Sequence, residues 1–591
     1  MDNVSLARLL EETAALLEID GADLYRIRSY RRAAEAVEQQ TTQLATLTTP
    51  DADPKALLAI AGIGKSMAAN IRELVATGSM PLRDELLSRY RPSMLELLRL
   101  PGMGPKTVAL IWSALQVGDM DQLEAAAKAG QLATLPRMGD KFVIKLLKGI
   151  EDHRRNSSRF RIDRAREFAD RIAALIMAFP GIEQVTPAGS LRRGRETVGD
   201  LDLLATGPAC EPDVVAAAVE HVATLPLIDK LMARGQNKVT FTLRNNLQVD
   251  VRLRPRASYG AALQYFTGSK HHNVALRQRA IKRGLTLSEY ALLRLEDNQI
   301  VASQTEESIY KALGLTYIPP ELRENCGELE AAAASFAGTL EGALPALITL
   351  ADIHGDVHMH TSETDGTCTI REMAEAALAR GRRYIAITDH SKHLAMTNGM
   401  DDKRALAHAA RVRQVNEEMD GRIHLLTGIE VDILADGQLD LEDDTLAQLD
   451  IVVASVHSRF DQPSDEMTAR ILRAIENPYV RILGHPTGRK LLKRDPYAVD
   501  LEKVFARAAQ LGVAVEHNAA PARSDLSDAH MRLAKSLGCK ISMNTDAHAT
   551  DEMDYMQDGI LQLRRAWLTA ADVVNTAPTP DEFLMQLRTR P

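Results

Sequence analysis

The 591-residue sequence has only four cysteines, Cys210, Cys326, Cys368 and Cys539, and no two of them form a Cys-x-x-Cys pair. That excludes a disulfide scaffold and a thiolate zinc finger, and it fits a reducing compartment. No run of about 18 uncharged apolar residues occurs, so no membrane-spanning helix is expected. The opening stretch MDNVSLARLLEETAALL has no basic flank before an apolar run, so it does not read as a signal peptide. A cytoplasmic location is expected. Nor is the composition biased: at 45% apolar and 26% charged it is ordinary globular, not collagen-like, coiled-coil or disordered. The length suggests roughly three to five domains. The net charge of −9 is uneven, with residues 1–150 neutral, 151–330 carrying +2 and 331–591 carrying −11. Seven arginines fall between Arg154 and Arg171, and twelve of the sixteen histidines follow residue 350. Two different chemistries share the chain.

Residues 1–150 show helical periodicity broken by three glycine-containing turns, AIAGIGKSMAANI, LRLPGMGPKTVALI and ATLPRMGDKFVIKLL. In the first two, an apolar-x-Gly-apolar-Gly turn precedes a helix. Glycine permits the tight bend and close approach, and the N–H groups opening the next helix favour an anion. Gly62, Gly64, Gly102 and Gly104 are therefore candidate DNA-phosphate contacts of two helix-hairpin-helix motifs. Arg137 replaces the first glycine of the third copy, which is expected only to pack.

In AGSLRRGRETVGDLDLLATG, Asp200 and Asp202 stand two apart on a predicted strand and face the same way. The strand LQVDVRLRP adds Asp250. Three carboxylates on neighbouring strands form a hard-oxygen site suited to Mg²⁺. Two such ions could activate a 3′-hydroxyl and steady a leaving pyrophosphate.

The segments GSLRRGRETVGDLDLL and VDVRLRPRASYGAALQYFTGSKHHNVALRQRAIKRG resemble the palm and thumb of family X DNA polymerases, over about residues 1–325. The resemblance implies that Asp200, Asp202 and Asp250 are catalytic, with Asp250 taking the primer proton. It implies that Ser190 and Arg193, beside Gly189, meet the incoming triphosphate. Tyr265, Phe266, Thr267 and Gly268 match the sugar-reading segment, Asn273 a minor-groove contact to the incoming base, and Arg277 a template-strand contact. Arg26 and Tyr30 match contacts to a 5′-phosphate. The family's lyase lysine is replaced by Asn70, and a neighbouring phosphate-binding lysine by Ser66, with Lys65 adjacent. An amide forms no imine, so 5′-deoxyribose-phosphate lyase activity is not expected.

Beyond residue 345, β-runs alternate with helices, which implies an α/β layer or barrel. His358-x-His360, Asp365, His390, Glu430, His457, His485 and Asp546-x-His548 fall at or just after the ends of β-runs. That is where α/β barrels place catalytic groups, and the clustering points to a metal site. The set resembles the signature of the polymerase-and-histidinol-phosphatase (PHP) domain. The resemblance implies up to three ions held by these nine residues in a distorted barrel. Mixed imidazole and carboxylate donors favour Mn²⁺ or Zn²⁺. His517 is expected on the barrel wall, while Asp352, His354 and His393 match no ligand position.

The expected architecture is multidomain. A lyase-like helical domain (1–92) and fingers (93–153) carry the hairpins. An α+β nucleotidyltransferase palm (154–255) and thumb (256–325) lead through a linker (326–344) to a TIM-like α/β PHP barrel (345–591). The expected protein is a monomeric gap-filling repair polymerase using dNTPs and gapped or primed DNA with a 5′-phosphate. Fused to it is a 3′→5′ exonuclease or abasic-site phosphoesterase. Its last third, at −11, is expected to repel free duplex, leaving delivery to the neighbouring domain. The alternative is a phosphoesterase whose polymerase half mainly delivers DNA.

Overall fold

The computed structural model describes residues 3–38, 44–48, 55–60, 62–98, 100, 102–136, 138–156, 159–394 and 397–587. The chain divides into two compact units, residues 1–158 with 245–247 and 325–327, and the remainder. Among the described residues no helix is long and apolar enough to cross a membrane.

The first unit is helical and has two cores. Helices Asn3–Ile19 and Leu24–Glu38 pack with Lys65–Thr77 around Leu10, Leu17, Tyr30 and Ile71. Residues 94–150 gather around Met94, Val108, Leu123 and Leu146. Both glycine turns form as expected. Gly62 and Gly102 adopt φ of +103° and +81°, which a side chain would strain. Gly64 and Gly104 are the extended N-caps of helices Lys65–Thr77 and Pro105–Leu115. A Cβ on either N-cap glycine would meet nothing within 4 Å, so the helix-opening amides are approachable. Arg137 lies outside the described residues.

In the second unit, a five-stranded sheet runs in the order Gln184–Pro187, Asp200–Thr206, Gln248–Leu253, Lys238–Leu243, Ile228–Arg234. Only Asp200–Thr206 and Gln248–Leu253 pair in parallel. Leu201, Leu203, Val249 and Val251 are buried, leaving the aspartates between them on the opposite face. The thumb packs around Leu276, Leu292, Ile309 and Leu322. The expected linker differs from a connector. Its first part is helix Glu328–Phe336, whose Leu329 and Ala332 belong to that same thumb core. Apolar residues at helical spacing found a surface to bury against.

The barrel has seven parallel strands in chain order: Gly355–Asp356, Tyr384–Ile387, His424–Asp432, Ile451–Ser455, Ile482–Leu483, Ala514–Asn518 and Ile541–Asn544. Tyr384–Ile387 and Ile451–Ser455 are buried throughout, as strands covered on both faces must be. A parallel bridge between Met359 and Ala547 brings the ends together, with His360 N donating to Ala547 O at 2.8 Å. The sheet is thus nearly closed, one strand short of the usual eight.

Candidate active sites

Two sites stand in the second unit. In the palm, Asp202 and Asp250 are register partners on adjacent parallel strands, and Asp200 lies two residues before Asp202 on the same face. Asp250 Oδ1 accepts from Thr240 Oγ1 at 2.6 Å and pairs with Lys238 Nζ at 2.7 Å. Burial would raise its pKa, but Lys238 and Thr240 hold it below the usual carboxylate value. Asp202 is pushed up to about 6, by burial first and then by the neighbouring Asp200, although Arg252 Nη1 lies 3.0 Å away. Crowded carboxylates of this kind are the donor chemistry a hard divalent ion relieves.

Gly189 shapes this site. At φ +57°, an added Cβ would fall 2.5 Å from Asp202 Oδ2. Ser190 follows it in the one-turn helix Gly189–Arg192. Arg192 forks onto Glu306 at 2.9 and 2.7 Å and also reaches Thr267 Oγ1 at 2.7 Å. Arg193 donates to Glu324 at 3.0 Å and to the Thr267 carbonyl at 2.7 Å. The sugar-reading candidates follow at once: Phe266 lies under the Arg252 guanidinium at 3.9 Å. Asn273 is engaged within the protein, its amide donating to the carbonyls of Tyr265 at 2.7 Å and Gly268 at 3.1 Å. It pins the Tyr265–Gly268 turn. Arg277 is exposed on helix Lys270–Ile281. In the first unit Arg26 is exposed, whereas Tyr30 is buried.

The barrel brings its predicted donors together. His360, Asp365, His390 and His548 form one group, His358, His360 and Asp546 a second, and His390, Glu430 and His457 a third; within each the donor atoms lie within 4.8 Å of one another. His485 joins them, its Nε2 3.0 Å from Glu430 Oε1. Among the described residues, groups this tight occur only here; the palm aspartates share a face without converging as closely. Glu430 sits within its strand, not at its end, and Asp365 lies in the loop beyond His360.

The spacing suits metal ions. Bonds of about 2.1 Å in a tetrahedral set put donor atoms about 3.4 Å apart. His358 Nε2 and His457 Nε2 each lie 3.4 Å from Glu430 Oε1, and His390 Nε2 and His548 Nε2 each lie 3.4 Å from Asp365 Oδ2. His358 Nε2, His360 Nδ1 and His457 Nε2 are buried with no hydrogen-bond partner. Such orphaned nitrogens are costly unless an ion occupies the space. These residues fit a multi-ion centre.

Carboxylates that sequence reasoning missed orient the imidazoles. His358 Nδ1 meets Glu516 Oε1 at 2.7 Å and His457 Nδ1 meets Asp432 Oδ1 at 2.9 Å. Each contact directs Nε2 at the centre. The available signal was period two, since Asp432 follows Glu430 on one strand face. Burial would raise Glu430, but His457, His358 and His390 hold it well below the carboxylate range. His485 and Asp546 adopt φ of +23° and +54°, strain of the kind that marks functional positions. His517 Nδ1 donates to the Leu526 carbonyl at 2.8 Å, on the opposite strand face from Glu516 and Asn518.

A cavity of about 480 Å³ opens over Asp365, His390, His457, Asp546 and His548. Lys490, Arg494 and Arg523 line one wall, and Arg161, from the start of the palm, lines another. Four cations thus line the cavity beside the carboxylates of Asp365, Asp546 and Glu552. Crowding by Arg523 lowers the pKa of Lys490, as expected where cations await an anion.

A palm bearing three aspartates, continuous with a PHP-type barrel, defines a family X nucleotidyltransferase with an attached phosphoesterase centre. Residues 262–324 match the DNA polymerase beta thumb, 354–516 the PHP domain, 1–80 a helix-hairpin-helix domain and 94–152 a SAM-like helix-hairpin-helix tandem. The chain is 35% identical over 584 residues to DNA polymerase/3′-5′ exonuclease PolX of Bacillus subtilis (strain 168), covering 98% of both chains. It belongs to that PolX family. DNA polymerase lambda of Rattus norvegicus is 25% identical over 54% of this chain and 56% of its own. A probable phosphatase of Thermoanaerobacter sp. (strain X514) is 32% identical over 37% of this chain and 89% of its own.

Proposed function

We propose that this chain fills short DNA gaps from dNTPs and trims or repairs DNA ends in its barrel, acting as a cytoplasmic monomer on gapped DNA with a 5′-phosphate. Asp200, Asp202 and Asp250 would hold two Mg²⁺ ions, and the nine barrel ligands up to three Mn²⁺ or Zn²⁺ ions. Bound divalent ions supply charge neutralisation at phosphate and lower the pKa of the attacking oxygen.

The protein's own groups do the rest. Asp250, ionised at neutral pH, accepts the proton of the primer 3′-hydroxyl. Gly189 leaves room for Asp202, and Ser190 and Arg193 bind the triphosphate. Tyr265, Phe266 and Gly268 meet the sugar, Asn273 sets the height of that turn against the base, and Arg277 faces the template strand. Gly62, Gly64, Gly102 and Gly104 offer amides to DNA phosphates, with Arg26 beside the 5′-phosphate. In the barrel, Lys490, Arg494 and Arg523 receive phosphates flanking the scissile one, and the orienting carboxylates Glu516 and Asp432 keep the imidazoles aimed inward.

The observation that carries this reading is the register pairing of Asp202 with Asp250. Extension and 3′-label release are measured on a gapped substrate with the whole chain, first in Mg²⁺ and then in Mn²⁺. Extension in Mg²⁺ and label release in Mn²⁺ are expected; label release with no extension would leave only the delivery reading. The match to probable phosphatases favours a second reading, hydrolysis of small phosphomonoesters. A p-nitrophenyl phosphate rate exceeding DNA hydrolysis would establish it.

A further inference from the structure

The segment that carries Ser190 and Arg193 is covered by the barrel. Helix Met556–Arg565 lies against it. Gln562 Nε2 donates to the Gly194 carbonyl at 2.7 Å, and Arg565 Nη1 donates to the Arg193 carbonyl at 2.8 Å. Gly194 adopts φ +68°, and a Cβ there would come 3.0 Å from Leu561. Arg565 is only 3% exposed. It also reaches Glu324 Oε1 at 3.0 Å and Asp528 Oδ2 at 2.9 Å. That same Glu324 oxygen accepts from Arg193 Nε at 3.0 Å. Arg565 thus holds Arg193 twice, directly at its backbone and through a shared carboxylate at its side chain. Three residues beyond Arg193, Glu196 pairs with the barrel's Arg489 at 2.5 Å.

These contacts fall on four consecutive residues, Arg193 to Glu196, within a wider joint that also pairs Arg166 with Asp558 and Arg564 with Glu321. Two of them satisfy backbone carbonyls of a turn whose shape sets where Arg193 points. A buried guanidinium forked between two carboxylates and a carbonyl has little freedom, so it transmits position well.

We propose that Arg565, with Gln562, is a positioning residue for nucleotide addition: the barrel fixes the Arg193–Gly194 backbone and Glu324 so that Arg193 is presented to the incoming triphosphate. This rests on the reading above that the segment binds the triphosphate. The simpler alternative, a joint between the two halves, predicts lost stability with no selective change in nucleotide affinity.

The test is single-nucleotide gap filling by the full chain in Mg²⁺, comparing Arg565→Met, Arg565→Lys, Gln562→Leu and the control Arg193→Ala. Thermal unfolding and Mn²⁺-dependent hydrolysis of bis-p-nitrophenyl phosphate are measured alongside. Arg565→Met should raise the KM for dNTP about tenfold, the scale of one lost charge-assisted hydrogen bond. Changes in kcat and in barrel hydrolysis should stay within about twofold. Arg565→Lys should recover part of the KM, and Gln562→Leu should raise it by a smaller factor. Should Arg565→Met fail to fold, Gln562→Leu still decides, because it removes one neutral hydrogen bond. An unchanged KM in the barrel variants, beside a raised KM in Arg193→Ala, overturns the positioning role alone. An unchanged KM in Arg193→Ala overturns the triphosphate reading and the proposal with it. A drop in unfolding temperature with no KM change marks a plain joint and also overturns it.

Discussion

The Asn70 side chain donates to the Tyr30 phenol oxygen at 2.7 Å, while that hydroxyl faces Met80 Sδ at 3.7 Å. At the position that the family resemblance aligns with a lyase lysine, an amide is thus bonded to a buried tyrosine. Of the two candidate 5′-phosphate contacts, only Arg26 remains exposed.

No borohydride-trapped adduct should therefore form with 5′-deoxyribose-phosphate DNA. Lys65 opens its helix more than a turn before Asn70, so its ammonium is not placed at the same atom. An adduct that vanishes in Lys65→Ala would show that lysine acting as nucleophile after all. Asn70→Ala should cost about 1 kcal/mol in urea unfolding, the worth of one hydrogen bond.

Asp250→Asn should abolish gap filling, by about three decades or more, while leaving barrel hydrolysis intact. The amide neither accepts the primer proton nor binds Mg²⁺ well, and Lys238 would lose the negative charge it pairs with. Extension near the parental rate would remove Asp250 from the mechanism.

In the barrel, His360→Ala removes a donor shared by two of the three groups and should end nucleotide release from 3′-labelled DNA. Glu516→Gln touches no metal position, yet it should weaken Mn²⁺ binding by about 10- to 100-fold through misaimed His358. Titrating Mn²⁺ by its paramagnetic signal measures this directly. Parental affinity in the glutamine variant would mean that the carboxylate orients nothing.

Glu306 links palm to thumb, accepting from Arg192 and Arg323. Burial would raise its pKa, but those arginines hold it at about 2 against an ordinary 4.5. A depressed carboxylate contributes stability that is complete above the unfolded value and lost as pH falls through the folded one. The stability gap between the parent and Glu306→Gln should thus be full at pH 7 and shrink between pH 4.5 and 2. The span corresponds to on the order of 3 kcal/mol. Urea midpoints across that range check it, and a pH-independent gap would contradict it.

The shared face of Asp200 and Asp202 was legible because period two follows from strand geometry alone, and register then placed Asp202 against Asp250. The barrel's donor groups were legible because histidines tracked strand ends. Glu516 and Asp432 were not, since an orienting role depends on which ring nitrogen a neighbouring strand presents, and spacing does not encode that. The 328–336 helix read as a connector because alanine-rich sequence does not reveal whether a surface awaits it. Arg193 read as a free triphosphate contact; that it is also tied to Glu324 and lies under Arg565 depends on contacts between residues separated by more than a hundred positions.

The bridge that joins Met359 to Ala547 has a consequence for assembly order. His358 and His360 leave the ribosome nearly two hundred residues before Asp546 and His548, so two of the three donor groups stay incomplete until the final strand arrives. The palm aspartates and Glu324 are synthesised well before that, whereas Gln562 and Arg565, which hold the Arg193 segment, come after His548. A growing chain therefore brings its palm aspartates together first, and completes both the barrel's donor groups and the brace on Arg193 only with its last fifty residues. Any truncation upstream of His548 removes the group that it shares with Asp365, His390 and His360.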